Sequence, residues 1–320
     1  MLIAALRRAG HFEIEDAPMP TIGPDDLLVK VSGCGVCASE LDVWEGLTTP
    51  DYPLYLGHEV SGTIVERGRD VDAFSVGDGV GIWVTARGFA EYVSVKAEYC
   101  RPAGDIELDS ALAEPLACAA NAVEQADVRL ADDVVVVGAG FMGNLVQQLV
   151  QLRGPRQVIV ADTRADALER ARTMGATRVV QVPAESLAEV VVEATDGRGA
   201  DVTFECTGSQ AALTTIGEVT SMSGKLVLVG FHQGAPREIS LAWWNWMAFE
   251  IVNAHFRDVG TIMRGMTVGM RLLSSGALDV ASLVTHRFAL GDIDTAFRTA
   301  SEKPPGFVKA TVLCGQTGNS

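Results

Sequence analysis

The apolar positions of the chain follow two rhythms, and the change between them divides the sequence. Over residues 1–110 they come in short β-type runs broken by Gly and Pro: LLVKVSG at 27–33, VSGTIVERG at 60–68 and FAEYVSV at 89–95. The opening MLIAALRRAG reads as a further strand, and turn clusters stand at 22–26 and 76–79. Helices are predicted at 38–46 and 111–128. This is the pattern of a β-rich domain of the Greek-key or barrel kind.

The pattern changes after Asp133. Val134 to Val137 is an unbroken β-branched run, suited to a central parallel strand covered on both faces. GAGFMG (138–143) and the helical NLVQQLVQL follow at once. The apolar runs VIVAD (158–162), RVVQV (178–182), DVTFECTG (201–208), KLVLVG (225–230) and EIVNAHF (250–256) then alternate with helical stretches, which predicts a doubly wound α/β sheet. From 257 onward the pattern holds one amphipathic helix (261–276) and a closing strand, FVKATVLC. That segment is too short to fold alone and is expected to return to the first domain.

Composition narrows the class. At 320 residues, 48% hydrophobic and 21% charged, the chain has the make-up of a soluble globular protein of two domains. No apolar run approaches the roughly 18 residues of a membrane helix. The first arginines follow the apolar start, the reverse of a signal peptide, so a cytoplasmic protein without a membrane partner is expected. The net charge of -16 argues against nucleic acid, because phosphate binding needs clustered positive charge. The six cysteines are scattered, as reduced thiols are. Cys34 and Cys37 form a lone C-x-x-C, a weak redox signal.

Two places carry chemistry. Cys37, His58 and Glu59 are residue types that bind a borderline-soft divalent metal, and 21 residues separate the thiol from the imidazole. That interval is too long for a zinc finger and fits an open catalytic site; the competing reading makes Cys37 a small buried hydrophobe. The second place is the G-x-G-x-x-G turn between a strand and a helix, with Asp162 19 residues past Gly143. Gly138 serves the tight turn, Gly140 lets backbone approach a pyrophosphate, and Gly143 allows close packing. Phe141 and Met142 open a helix whose N-terminus offers amide donors. Asp162 is placed to accept hydrogen bonds from the ribose hydroxyls, favouring NAD over NADP; Arg164 softens that preference.

The motifs GCGVCASELD, GHEVSGTIVERG, GFAEY, EPLACAANAV, GAGFMG, DVTFECTG and GKLVLVG, in this order over almost the whole chain, resemble the zinc-dependent medium-chain dehydrogenases, the superfamily of alcohol, sorbitol and threonine dehydrogenases. The resemblance implies a GroES-like catalytic domain (1–122 and 257–320) split by an inserted Rossmann domain (123–256). It puts Cys37 and His58 on the first two catalytic zinc ligands. Glu59 falls on an acidic residue that coordinates zinc or stands just behind it. Glu114 falls on the glutamate of the polyol-dehydrogenase branch, binding zinc or holding its water. Ser39 receives the substrate's proton, and Glu40 orients the ligand histidine. Thr207 and Val229 lie near the nicotinamide, and Lys309 is a further cofactor contact.

Three departures accompany the resemblance. The lobe that binds a structural zinc is missing, since 83–87 runs almost straight into GFAEY, so one zinc per chain is expected. Asp42 stands where many members carry the proton-relaying histidine. Trp243, Trp244 and Trp246 have no counterpart, and a core or subunit-contact role is preferred for them. The expected activity is reversible hydride transfer between NAD and a secondary alcohol of a polyol, sugar or (amino)cyclitol. A threonine-type or general secondary-alcohol dehydrogenase is the alternative, and a zinc-free dinucleotide-binding relative is a third. A homodimer or homotetramer, pairing through 250–256, is implied by analogy.

Overall fold

The computed structural model describes residues 1–48 and 50–315. Its chain divides into two compact units, residues 1–117 with 266–320 and residues 118–265. The sequence reading placed those divisions after 122 and 256.

The first unit opens with an antiparallel pair, β1 (Leu2–Arg8) and β2 (His11–Asp16). β3 (Asp26–Gly35) leads into the short helix α1 (Ala38–Trp44), and β4 (Glu59–Arg67), β5 (Gly79–Trp83), β6 (Tyr92–Lys96) and β7 (Cys100–Pro102) follow. α2 (Ala113–Ala126) carries the chain out of this unit. The turn cluster expected at 76–79 gives way at Gly79 to β5, whose GVGIW has too little alternation to announce a strand. Its pairing with β4 supplies the backbone hydrogen bonds that local pattern does not.

The second unit is built from β8 (Asp133–Val137), α3 (Phe141–Gln151), β9 (Gln157–Asp162), α4 (Ala165–Thr173), β10 (Arg178–Gln181) and α5 (Leu187–Ala194). It continues with β11 (Ala200–Glu205), α6 (Gln210–Val219), β12 (Thr220–Leu228), α7 (Leu241–Met247) and β13 (Glu250–Asn253). The described strands form a parallel sheet in the order β10-β9-β8-β11-β12-β13. Every residue of β8 is buried, as helices on both faces require. The order reverses direction between β8 and β11, which is the switch point where such sheets bind ligands. Ser186 and Ser209 cap α5 and α6 through side-chain oxygens that accept from the amides of Glu189 and Ala212. Among the tryptophans, Trp244 is buried against Phe249, while Trp246 is 72% exposed.

α8 (Val259–Ser274) leads back to the first unit, where β14 (Val284–Ala289), α9 (Ile293–Glu302) and β15 (Lys309–Leu313) end the described fold. One helix was expected here; α9 is a second, amphipathic one, with Ile293, Ala296, Phe297 and Ala300 buried at helical spacing. β15 pairs antiparallel with β3, so the last strand completes the sheet β14-β15-β3-β4-β5-β7, with β6 on the other edge pairing of β3. Phe297 of α9 packs edge-on against Phe89 at 5.5 Å, both rings fully buried. The returning segment therefore supplies part of the first unit's core, which explains why it needs no core of its own.

Candidate active site

In the first unit, strand pairing erases the 21-residue interval between Cys37 and His58. Gly35, at the end of β3, lies opposite Glu59, the first residue of β4. The chain leaving β3 and the chain entering β4 are therefore neighbours. Cys37 caps α1 two residues past Gly35, and the ligand atoms of Cys37, His58 and Glu59 lie within 4.8 Å of one another. Among the described residues this is the one such group of three or more His, Cys, Asp or Glu.

Glu40 holds the two loops together. Its carboxylate, 6% exposed with its residue, accepts from the amide of Cys37 at 3.5 Å and of Gly57 at 2.7 Å, and lies 3.1 Å from His58 Nδ1. A carboxylate only accepts, so Nδ1 carries a hydrogen and Nε2 is the nitrogen left to meet a metal. Burial opposes a charge on this imidazole, yet its hydrogen bonds to Cys37 and Glu40 outweigh that and raise its pKa to about 12, so a metal bound at Nε2 would displace the proton held there. Ser39 donates its hydroxyl to the Cys37 sulfur at 3.2 Å. Asp42 lies one turn further along α1, on the same face as Ser39.

Lys309 belongs to this cluster. It begins β15, and its buried ammonium donates to the Val36 carbonyl at 2.9 Å and to Glu59 Oε1 at 2.7 Å. Burial works against the charge, but Glu59, Cys37 and Glu114 together hold the lysine above its ordinary range. The sequence reading made Lys309 a cofactor contact; the structure buries it against Glu59. Nothing in local pattern marks that partnership, since 250 residues separate the pair. Glu59 Oε2 is 2.6 Å from the same ammonium but out of line for a hydrogen bond, so it is a buried oxygen with no hydrogen-bond partner. A thiol, an imidazole nitrogen and a buried carboxylate, with ligand atoms within 4.8 Å of one another, suit a zinc ion. Glu114, in the first turn of α2, stands outside the three-residue group, with its charge felt at Lys309.

In the second unit, all strands are parallel, so their C-terminal ends share one edge. Gly138 leaves β8 with φ +102°, a conformation a side chain would strain. A Cβ on Gly143 would lie 1.8 Å from the Gly138 carbonyl, so helix α3 approaches the turn as closely as backbone allows. Gly140 precedes α3 with open space above it. Phe141 and Met142 form the first turn of α3, Phe141 buried. Asp162 ends β9 with one carboxylate oxygen accepting from the Ala139 amide at 2.7 Å and the other from the Arg164 amide at 2.9 Å. Both oxygens keep a further lone pair for ribose hydroxyls. Thr207 follows β11, its methyl 2.5 Å from where a Gly138 Cβ would be, and Val229 follows β12. The sequence reading missed Glu205 and His232 on this edge; a single Glu at a strand end carries no pattern of its own.

Two family models match the chain. Residues 23–123 match "Alcohol dehydrogenase GroES-like domain" and residues 142–265 match "Zinc-binding dehydrogenase". The L-threonine 3-dehydrogenase of Ruegeria pomeroyi is 31% identical, over 88% of this chain and 90% of that protein. The sorbitol dehydrogenase of Gallus gallus is 30% identical, over 99% of this chain and 97% of that one. Among solved structures, 2R,3R-butanediol dehydrogenase from Bacillus subtilis superposes with a TM-score of 0.84 at 25% identity, covering 98% of this chain and 99% of the other.

Proposed function

The chain belongs to the zinc-dependent medium-chain dehydrogenases and is a secondary-alcohol dehydrogenase of the zinc type, and we propose that its substrates are polyols, sugars or cyclitols, amino derivatives included, with NAD as the hydride acceptor. The observation that carries the substrate class is the acidity of the metal cluster. Glu40 and Glu59 are engaged with His58 and Lys309, and Glu114, whose charge reaches Lys309, is the carboxylate read as the acceptor for a substrate hydroxyl or amine.

In this reading Cys37, His58 and one or both of Glu59 and Glu114 hold the zinc. When bound, zinc lowers the pKa of a coordinated hydroxyl and NAD accepts a hydride. Glu40 sets the tautomer of His58, and Lys309 neutralises part of the carboxylate charge beside it. Ser39 takes the substrate's proton, and Asp42, one turn along α1, carries it outward. On the second unit, Gly138, Gly140, Phe141, Met142 and Gly143 receive the pyrophosphate at the start of α3, Asp162 and Arg164 meet the adenosine ribose, and Thr207 and Val229 flank the nicotinamide.

A panel of polyols, cyclitols, aminocyclitols, L-threonine and simple aliphatic alcohols, each with NAD and NADP, tests the substrate class by nicotinamide absorbance. The expected result is a kcat/KM for the best polyol or cyclitol at least about tenfold above any aliphatic alcohol, the share of roughly one extra charge-assisted hydrogen bond. Good rates on aliphatic alcohols with no turnover of any polyol would end the proposal. The similarity to a threonine dehydrogenase favours a second reading, an amino-alcohol substrate, and threonine turnover decides for it.

A homodimer or homotetramer is part of the same reading. β13 is an edge of the parallel sheet, and Ile251 on it and Trp246 just before it are 48% and 72% exposed. Such an edge with apolar neighbours favours pairing with a second copy. Light scattering is expected to give at least twice the 33.9 kDa chain mass; a monomer would count against it. No described helix is long and apolar enough to cross a membrane. The proposed setting is the cytoplasm, which the free cysteines favour.

A further inference from the structure

Glu205 is a carboxylate that the hydride chemistry does not use, and it is fully buried. An ionised group in that position is costly unless hydrogen bonds replace its water. Glu205 ends β11, and its Oε1 accepts from the Thr207 amide at 2.6 Å, the Thr207 hydroxyl at 2.5 Å and the Gly208 amide at 2.9 Å. Its backbone carbonyl accepts from the amides of Val229 and Gly230, both at 2.8 Å. One residue therefore ties the loop after β11 to the loop after β12. The two loops touch backbone to backbone: a Cβ on Gly230 would fall 2.2 Å from the Gly208 nitrogen.

The loop after β12 closes over this carboxylate through His232, whose Nε2 lies 2.9 Å from Glu205 Oε2. The approach is bent, because the N–H direction does not meet hydrogen-bond geometry, so the contact is mainly electrostatic. Behind the imidazole stands Arg237, whose Nε donates to His232 Nδ1 at 3.3 Å. A guanidinium can only donate, so Nδ1 is the bare nitrogen and the hydrogen sits on Nε2, the ring nitrogen beside Glu205. Arg237 spends its other donors on the carbonyls of Gly208, Gln233 and Ala235, at 2.8–3.0 Å. It is thus a brace across both loops.

These loops lie on the β11 and β12 side of the switch point. Gly138–Gly143 and Asp162, which are read as the pyrophosphate and adenosine ends of the site, lie after β8 and β9. The half of the dinucleotide left for the β11 and β12 loops is the nicotinamide half. We infer that His232, held between Glu205 and Arg237, is a positioning residue for the nicotinamide end of the cofactor, setting the backbone at Thr207 and Val229. The inference rests on the proposed dinucleotide site.

Binding of NADH, followed by its fluorescence, and of ADP-ribose, followed by calorimetry, tests it on the full chain. His232→Ala is expected to weaken NADH about tenfold, the scale of one hydrogen bond to a charged group, and to raise the KM for NAD by a similar factor. ADP-ribose, which lacks the nicotinamide, should bind within about twofold of the parent. His232→Gln, whose amide can donate toward Glu205 while its carbonyl accepts from Arg237, should recover most of the loss. Should His232→Ala fail to fold, Arg237→Gln is read for the same split between the two ligands. Unchanged NADH affinity, or an equal loss for NADH and ADP-ribose, overturns the inference. A parent protein that binds neither ligand removes the dinucleotide reading itself, and the inference with it.

Discussion

Replacing Cys37 with alanine is expected to bring bound zinc from one per chain to near zero and to lower alcohol turnover by about a thousandfold. A Lewis acid at the reacting oxygen is worth several kcal/mol, and about 1.36 kcal/mol corresponds to each factor of ten. Removing the only sulfur among Cys37, His58 and Glu59 leaves an imidazole and a carboxylate already occupied by Lys309. His58→Ala should do the same. Cys34→Ala is the control that separates a metal site from a C-x-x-C redox pair. Cys34 is fully buried on β3, burial pushes its thiol well above the ordinary range, and its loss should leave zinc in place. Elemental analysis with turnover, before and after treatment with a strong chelator, reads the result. Full activity in a chain stripped of metal would sink the zinc reading and favour a zinc-free relative.

The second large effect concerns Asp162, which carries one negative charge at the ribose end of the cofactor site. Asp162→Asn is expected to lower kcat/KM for NAD by about tenfold or more while raising that for NADP, reversing or erasing the preference. Charged hydrogen bonds are worth about 1.5–3 kcal/mol each, and the carboxylate also repels a 2′-phosphate. Asparagine keeps one oxygen for the Ala139 amide, so the glycine turn retains its brace, while the Arg164 amide loses its acceptor. Arg164 enters α4 two residues later, near enough in sequence to meet the added phosphate. Asp162→Gly removes the Ala139 contact as well and should weaken both cofactors. Kinetics with NAD and NADP in parallel measure the ratio; a ratio unmoved by Asp162→Asn would contradict the assigned role.

Residues whose chemistry depends on chain neighbours were readable at once. The run Val134 to Val137, the glycines behind it and Asp162 at the next strand's end follow from the close spacing of a strand, a turn and a helix, and the structure places them on one edge of the parallel sheet. The fold class was open for the same reason, since β-α alternation is a local pattern. The helix α9 escaped because its buried stripe is only four residues in a mostly polar stretch. Its burial against Phe12, Trp44 and Phe89 exists only once the chain returns.

By itself, the sequence determined the residue types that bind metal and dinucleotide, the two-part architecture and the family resemblance. Only the tertiary structure decided which charges meet. Cys37 and His58 become neighbours because β3 pairs with β4, and Lys309 meets Glu59 because β15 pairs with β3. Glu205 and His232 meet because parallel strands bring their following loops to one edge. Backbone pairing is specified by many weak contacts spread over the chain, whereas a buried ion pair is a property of two positions. The pair is therefore invisible until the strands have chosen their partners.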